Sequence, residues 1–345
     1  MPYRAETSLA EFVRVLPKTE THLHIEGACP WELLQKLDPV KYAAPPPFWD
    51  DGYRYTSFNE FMDLYVEYCA AFFTSAERYH EAAKIVLAKC TAQGCRYVEM
   101  SFHLPALLFM SDTGPEVIRA MRAAAPRGLE LRVFAGMCHN DYHGAGRELI
   151  EAALTWPELD GIDLHGWEDI PLEPWTADVW ARARSAGKFT KAHAGEFMGA
   201  DYVEQTLDML KVTRIQHGVL AVENPATVAR LLRDGVALDV CPISNLKLAV
   251  RGVPAMAAHP IRRLFEVGVT VTINSDDPFF FGNSLVEEYY ALHQELGFSR
   301  AERVRVAANG FRVALLPEHV KRAYLNQLAT FAAEAALADE EWGSS

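Results

Sequence analysis

The 345-residue chain has no CxxC pair, no excess of basic residues and no long apolar run, and each gap removes a class of function. Its six cysteines, Cys29, Cys69, Cys90, Cys95, Cys138 and Cys241, are scattered. They do not form the dense framework that staples small secreted domains, and they read as free thiols in a reducing compartment. Lys and Arg number 33 against 46 Asp and Glu, a net charge of −13. That balance excludes a nucleic-acid polymer as partner, because polyanions require basic surface. A small neutral ligand is compatible with it. No uninterrupted apolar stretch is long enough to cross a bilayer, so no membrane partner is expected. The first twenty residues lack the basic start and apolar run of a signal peptide, and a cytoplasmic location is expected. A PCxxC signature is also missing, which excludes the cytidine-deaminase type of zinc site.

What remains is a chain that is 50% apolar and 11% aromatic, enough for a large core. Short β-rich runs recur at residues 20–24, 97–102, 131–137, 161–165, 189–193, 214–217, 237–241 and 270–274. Amphipathic helical patterns separate them at 76–93, 115–125, 177–186, 202–210 and 225–234. Eight strands alternating with helices, without repeats or low-complexity linkers, predict an α/β fold: a single (β/α)8 barrel over residues 1–345. Extra helices are expected after the first strand and at the C-terminus. The Pro- and aromatic-rich stretch 39–55 lies on the first βα connection and reads either as a lid or as a plain surface loop. Residues 317–345 read as a helix packed outside the barrel with a frayed end.

Four constellations fall at predicted strand ends. His22-Leu23-His24 places two imidazoles on one strand face, since residues two apart point the same way. His193-Ala194-Gly195-Glu196 follows a histidine with a carboxylate across a glycine that permits a sharp turn. His217-Gly218 ends the sixth strand, and Asp276-Asp277-Pro278 follows the eighth. Taken singly, each has a bland reading: a core pair, a helix cap, a surface turn. Together they sit where barrel enzymes keep their sites. Two acids in one apolar pocket call for a cation, and three histidines with one aspartate make a zinc set with room for water. Other residues fit either packing or the pocket: His103, His139, His143 and His165, the helical stripe Phe58, Phe61 and Tyr65, and Phe279, Phe280 and Phe281.

The segments HLHIEGA, KAHAGE, RIQHGV, VCPISNLKL and TINSDDPFFFG occur in the order and spacing of the adenosine deaminase family, which this chain resembles from Leu16 to about Leu316. The resemblance implies one Zn2+ per subunit held by His22, His24, His193 and Asp276. Glu196 would then protonate purine N1, and His217 would orient the attacking water and assist its deprotonation. Asp277 would meet N7, and the backbone N–H of Gly166 would meet N3. Glu26 falls where the family places an aspartate that contacts ribose, and it is one methylene longer. Gln216 stands where adenosine deaminases usually have Gly and adenine deaminases Asp. The expected activity is hydrolytic deamination of adenosine or a related adenine nucleoside to the 6-oxo purine and ammonia. The alternatives are deamination of adenine itself or of another aminopurine-like substrate. Lys191 lies near the strand ends without an evident role as a bridging lysine.

Overall fold

A computed structural model of the protein describes residues 7–342. Eight parallel strands follow one another in a single sheet in sequence order: β1 (Lys18–His24), β2 (Cys95–His103), β3 (Glu130–Cys138), β4 (Gly161–His165), β5 (Phe189–Ala194), β6 (Arg214–His217), β7 (Ala237–Val240) and β8 (Thr270–Ile273). Each expected strand is present, and the bounds differ by two residues at most. The crossovers between neighbouring strands carry helices, which puts side chains on both faces of the sheet out of water. All seven residues of β1 are accordingly buried.

The ring closes differently at its last seam. Between β8 and β1 the link is a local parallel bridge, Leu23 with Asp276. The His24 amide donates to the Asp276 carbonyl at 3.2 Å, and the Asp276 amide donates to the His22 carbonyl at 2.9 Å. One step lower the Asn274 side-chain oxygen, not a strand carbonyl, accepts the Thr21 amide at 2.6 Å. On its other edge, β1 slips in register against β2 between Glu20 and Leu23.

Below the mouth the lumen holds charge. Glu99, Lys191, Arg214 and Asp239 are each no more than 2% exposed. Arg214 pairs with Glu99, places Nε 3.2 Å from Asp239 and donates from Nη1 to the Val313 carbonyl at 3.1 Å. Lys191 donates to Glu99 at 3.2 Å and to the Thr21 carbonyl at 2.9 Å. Lys191 therefore belongs to the barrel's interior ion network. The Arg300–Val313 helix packs on β1 and β8, and the Glu318–Trp342 helix packs on it in turn, outside the barrel as expected. The end expected to fray, residues 343–345, lies outside the described residues. No described helix is long and apolar enough to cross a membrane.

Candidate active site

The carboxyl ends of β1, β4, β5, β6 and β8 converge on one cavity of about 130 Å3. Its roof is the Phe58–Cys69 helix, which contributes Phe58, Phe61, Met62, Tyr65 and Val66. The aromatic stripe thus walls the pocket, while no residue of 39–55 lines it. Ser57 caps this helix by accepting the Glu60 amide at 3.1 Å. Its first turn is tied to the β4 loop, where Trp167 Nε1 donates to Asn59 Oδ1 at 2.7 Å. Phe279, Phe280 and Phe281 are buried beside it and not within it; Phe280 and Phe281 stack on Tyr65 and Phe61.

Three histidines meet at the cavity floor. His22 Nε2 lies 3.3 Å from His24 Nε2, 3.1 Å from His193 Nε2 and 3.3 Å from Asp276 Oδ1. Their far nitrogens are all held by oxygen acceptors. His22 Nδ1 is 3.2 Å from the Asp239 carbonyl and His193 Nδ1 is 3.0 Å from the Leu164 carbonyl. His24 Nδ1 is 2.9 Å from Ser101 Oγ, whose hydroxyl reaches the Leu23 carbonyl. A carbonyl can only accept, so each Nδ1 carries the proton and each Nε2 presents a bare lone pair. Three lone pairs and a carboxylate aimed at one point repel one another unless a cation lies between them. Ligand nitrogens about 2.0–2.1 Å from a tetrahedral zinc stand roughly 3.3 Å apart, matching the separations seen. The donor set therefore fits a divalent metal with its outer partners already in place.

His217 also lies at this cluster, yet its hydrogen bonding is reversed. Its Nδ1 faces the Asn245 Nδ2 group at 3.1 Å, an amide that can only donate. Its Nε2 consequently carries the proton, directed at Glu196 Oε1 3.5 Å away and Asp276 Oδ2 3.8 Å away. Both His217 and Asp276 adopt left-handed backbone, φ 61° and 60°. Strain of that kind in non-glycine residues persists where the surroundings fix it, and it gathers at functional sites.

Glu196 reaches the cavity through a turn at Gly195, φ 75°. Glu168 braces that turn from below. Its two oxygens accept the amides of Glu196, Phe197 and Met198 at 2.7–3.1 Å. Burial first, then the charges of Asp276 and Glu168, hold the Glu196 carboxyl well above the usual carboxylate range. Asp277 is pushed the same way, by burial and then by Asp276. Its Oδ1 is buried without a hydrogen-bond partner. Gly27 abuts it: a Cβ built there would fall 1.6 Å from Asp277 Oδ1 and 2.6 Å from its Cβ. Gly27→Ala is therefore expected to displace Asp277 and lower kcat/KM, with metal content unchanged by atomic absorption. Unaltered kinetics would show that Asp277 contributes nothing from its present position.

Of the remaining sequence candidates, Gly166 lines the cavity, and so do His103 and His165, whose rings meet at 3.2 Å. Glu26 is buried beneath. Its Oε1 accepts the Tyr79 hydroxyl at 2.6 Å and the His103 amide at 3.0 Å. Gln216 points into the lumen, where its amide satisfies Asp239 and Lys191. His139 faces the Tyr202 hydroxyl at 3.3 Å. Glu168 and Asn245 escaped the sequence reading. Asn245 lies inside the VCPISNLKL segment, but only its neighbours in space reveal what its amide does.

A family model described as adenosine deaminase matches residues 17–331. The chain is 33% identical over 337 residues to an adenine deaminase from Chlorobium luteolum, covering 94% of this chain and 98% of that one. It is 34% identical over 337 residues to an adenine deaminase from Albidiferax ferrireducens, with 94% and 96% covered. Among solved structures, the adenine deaminase from Arthrobacter aurescens superimposes with a TM-score of 0.81 at 28% identity, covering 92% of this chain and all of that one. An amidohydrolase from Burkholderia ambifaria, solved with bound Zn, gives the same TM-score at 22% identity, covering 98% of this chain and 97% of that one.

Proposed function

The chain belongs to the adenosine deaminase family and is an aminohydrolase of adenine-type purines, and from that premise we propose that its substrate is the free base adenine, converted with zinc to hypoxanthine and ammonia. The observation that carries the choice of base over nucleoside is the size of the cavity. About 130 Å3 is well under the 300–1,000 Å3 usual for drug-sized ligands. It suits a bare ring more than a ring with a sugar. Glu26 supports the same reading, since its Oε1 already serves Tyr79 and His103 and it lines no part of the cavity. The curated relatives above are named adenine deaminases.

In this reading His22, His24, His193 and Asp276 hold the zinc, which supplies the Lewis acidity that lets water act as a nucleophile at neutral pH. The residues around it position the ring. Glu196 brings its proton to N1, so that electrons displaced by attack at C6 have somewhere to go. Asp277 meets N7 and the Gly166 amide meets N3. His217 aims its Nε2–H at the attacking oxygen. The Phe58–Cys69 roof keeps bulk water off the ring. One water adds at C6; one of its protons replaces on Glu196 the proton given to N1, the other passes from the new C6 hydroxyl to the amino group, and the C6–N bond breaks to release ammonia.

The test is ammonia release from zinc-loaded protein given adenine, adenosine or 2′-deoxyadenosine. Adenine is expected to turn over and both nucleosides to remain unconverted. Turnover of the nucleosides without adenine would reverse the assignment and give the sugar a place near Glu26.

A further inference from the structure

His259 lies outside the cavity, buried to 3% exposure in the loop before β8, and no role for it follows from the metal cluster or the purine contacts. Its hydrogen bonds nevertheless run without a break to the centre of the site. The Ile261 amide donates to His259 Nδ1 at 3.1 Å. A backbone N–H cannot accept, so Nδ1 is bare and the ring proton sits on Nε2. His259 Nε2 is 3.1 Å from Asn245 Oδ1 and donates to it. That bond fixes which way the Asn245 amide faces. Its Nδ2 then donates at 3.1 Å to His217 Nδ1 and at 3.3 Å to Glu196 Oε1. The opposite orientation of Asn245 fails at the far end. It would require His259 Nδ1 to carry a proton directly against the Ile261 N–H. Burial keeps the His259 imidazole neutral, with its pKa lowered to about 3.

We propose that His259 is a positioning residue: through Asn245 it locks His217 in the tautomer that bears its proton on Nε2, so that His217 meets the attacking water as a hydrogen-bond donor and not as its base. Glu196, whose Oε1 lies 3.5 Å from His217 Nε2, takes up the proton that water releases once it has given its own to N1. A single main-chain amide, at Ile261, sets the polarity of the whole relay. This inference rests on the proposed purine chemistry only in giving the water its place at His217.

The experiment compares His259→Leu and His259→Gln, with metal content measured in each. Gln keeps a side-chain N–H that can reach Asn245 Oδ1, and Leu removes it. Leu is expected to lower kcat about 10–100-fold, the usual cost of losing an outer partner, with KM and zinc content held. Gln is expected to restore most of the loss. In the wild type, 15N NMR of labelled histidines is expected to show His217 with Nε2 protonated and Nδ1 bare. Asn245→Asp, isosteric but unable to donate to His217, is expected to move that proton to Nδ1. Equal kinetics in the Leu and Gln variants, or a His217 tautomer indifferent to Asn245→Asp, would overturn the relay. A fully active His217→Ala would instead refute the role given to His217 itself, and the two failures are distinct.

Discussion

Glu196→Gln is expected to reduce kcat by about 10²–10⁴-fold while zinc content stays at one per chain. The substitution keeps the shape of the side chain and its place above Gly195. It removes only the group able to carry a proton to the ring. Asn245 Nδ2 and His217 Nε2 both aim donors at Glu196 Oε1, so the glutamine carbonyl can still be held there. The second oxygen becomes an amide NH2, which cannot be relinquished to N1. KM is expected to change little, because the acid's contribution grows as the ring takes up charge and not when substrate binds. Loss of zinc with loss of activity would make Glu196 a structural prop. Near-normal turnover would end its assignment as the acid.

Arg214→Met is expected to destabilise the folded protein by roughly 3–5 kcal/mol without touching the cavity. Arg214 is 2% exposed and faces two carboxylates, Glu99 and Asp239. Removing it leaves both acids in the lumen. Lys191 still serves Glu99, and Thr21 and Thr272 still donate to Asp239 at 2.8 Å, which favours the lower end of the range. The readout is the urea concentration at half-unfolding, followed by fluorescence with zinc present throughout. A shift equivalent to less than about 1 kcal/mol would mean that water or relaxation replaces the guanidinium.

The barrel was legible because its signal is local. Each strand is a short β-branched or apolar run between helical patterns, and burial on both faces makes such runs continuous. The HxH pair was legible for the same reason, since strand alternation alone puts His22 and His24 on one face. The roof of the cavity was less so. The Phe58, Phe61 and Tyr65 stripe announces a helix with an apolar side, but the spacing is silent on whether that side meets core or substrate. Asn245, Glu168 and His259 were not legible at all. Each acts through hydrogen bonds on residues between 14 and 49 positions away, which no local pattern records. Glu26 shows the reverse case. Its motif position suggested a sugar contact, and the fold surrounds its Oε1 with Tyr79 and the His103 amide.

The seam between the last strand and the first resembles a clasp on a bracelet. Two backbone bonds and side-chain bonds at Asn274, Thr272 and Glu20 hold it, where other strand pairs are held by a ladder. The clasp is also where the proposed metal ligands sit, with His22 and His24 on one side and Asp276 on the other. An ion bound there grips both ends of the band. Its binding energy becomes resistance of the first and last strands to parting, and whatever weakens the clasp must loosen the ion in equal measure. Amides along that seam should then be the ones whose deuterium uptake follows metal occupancy most closely. An ion held by the proposed ligands would thus serve also as the rivet of the cylinder around it.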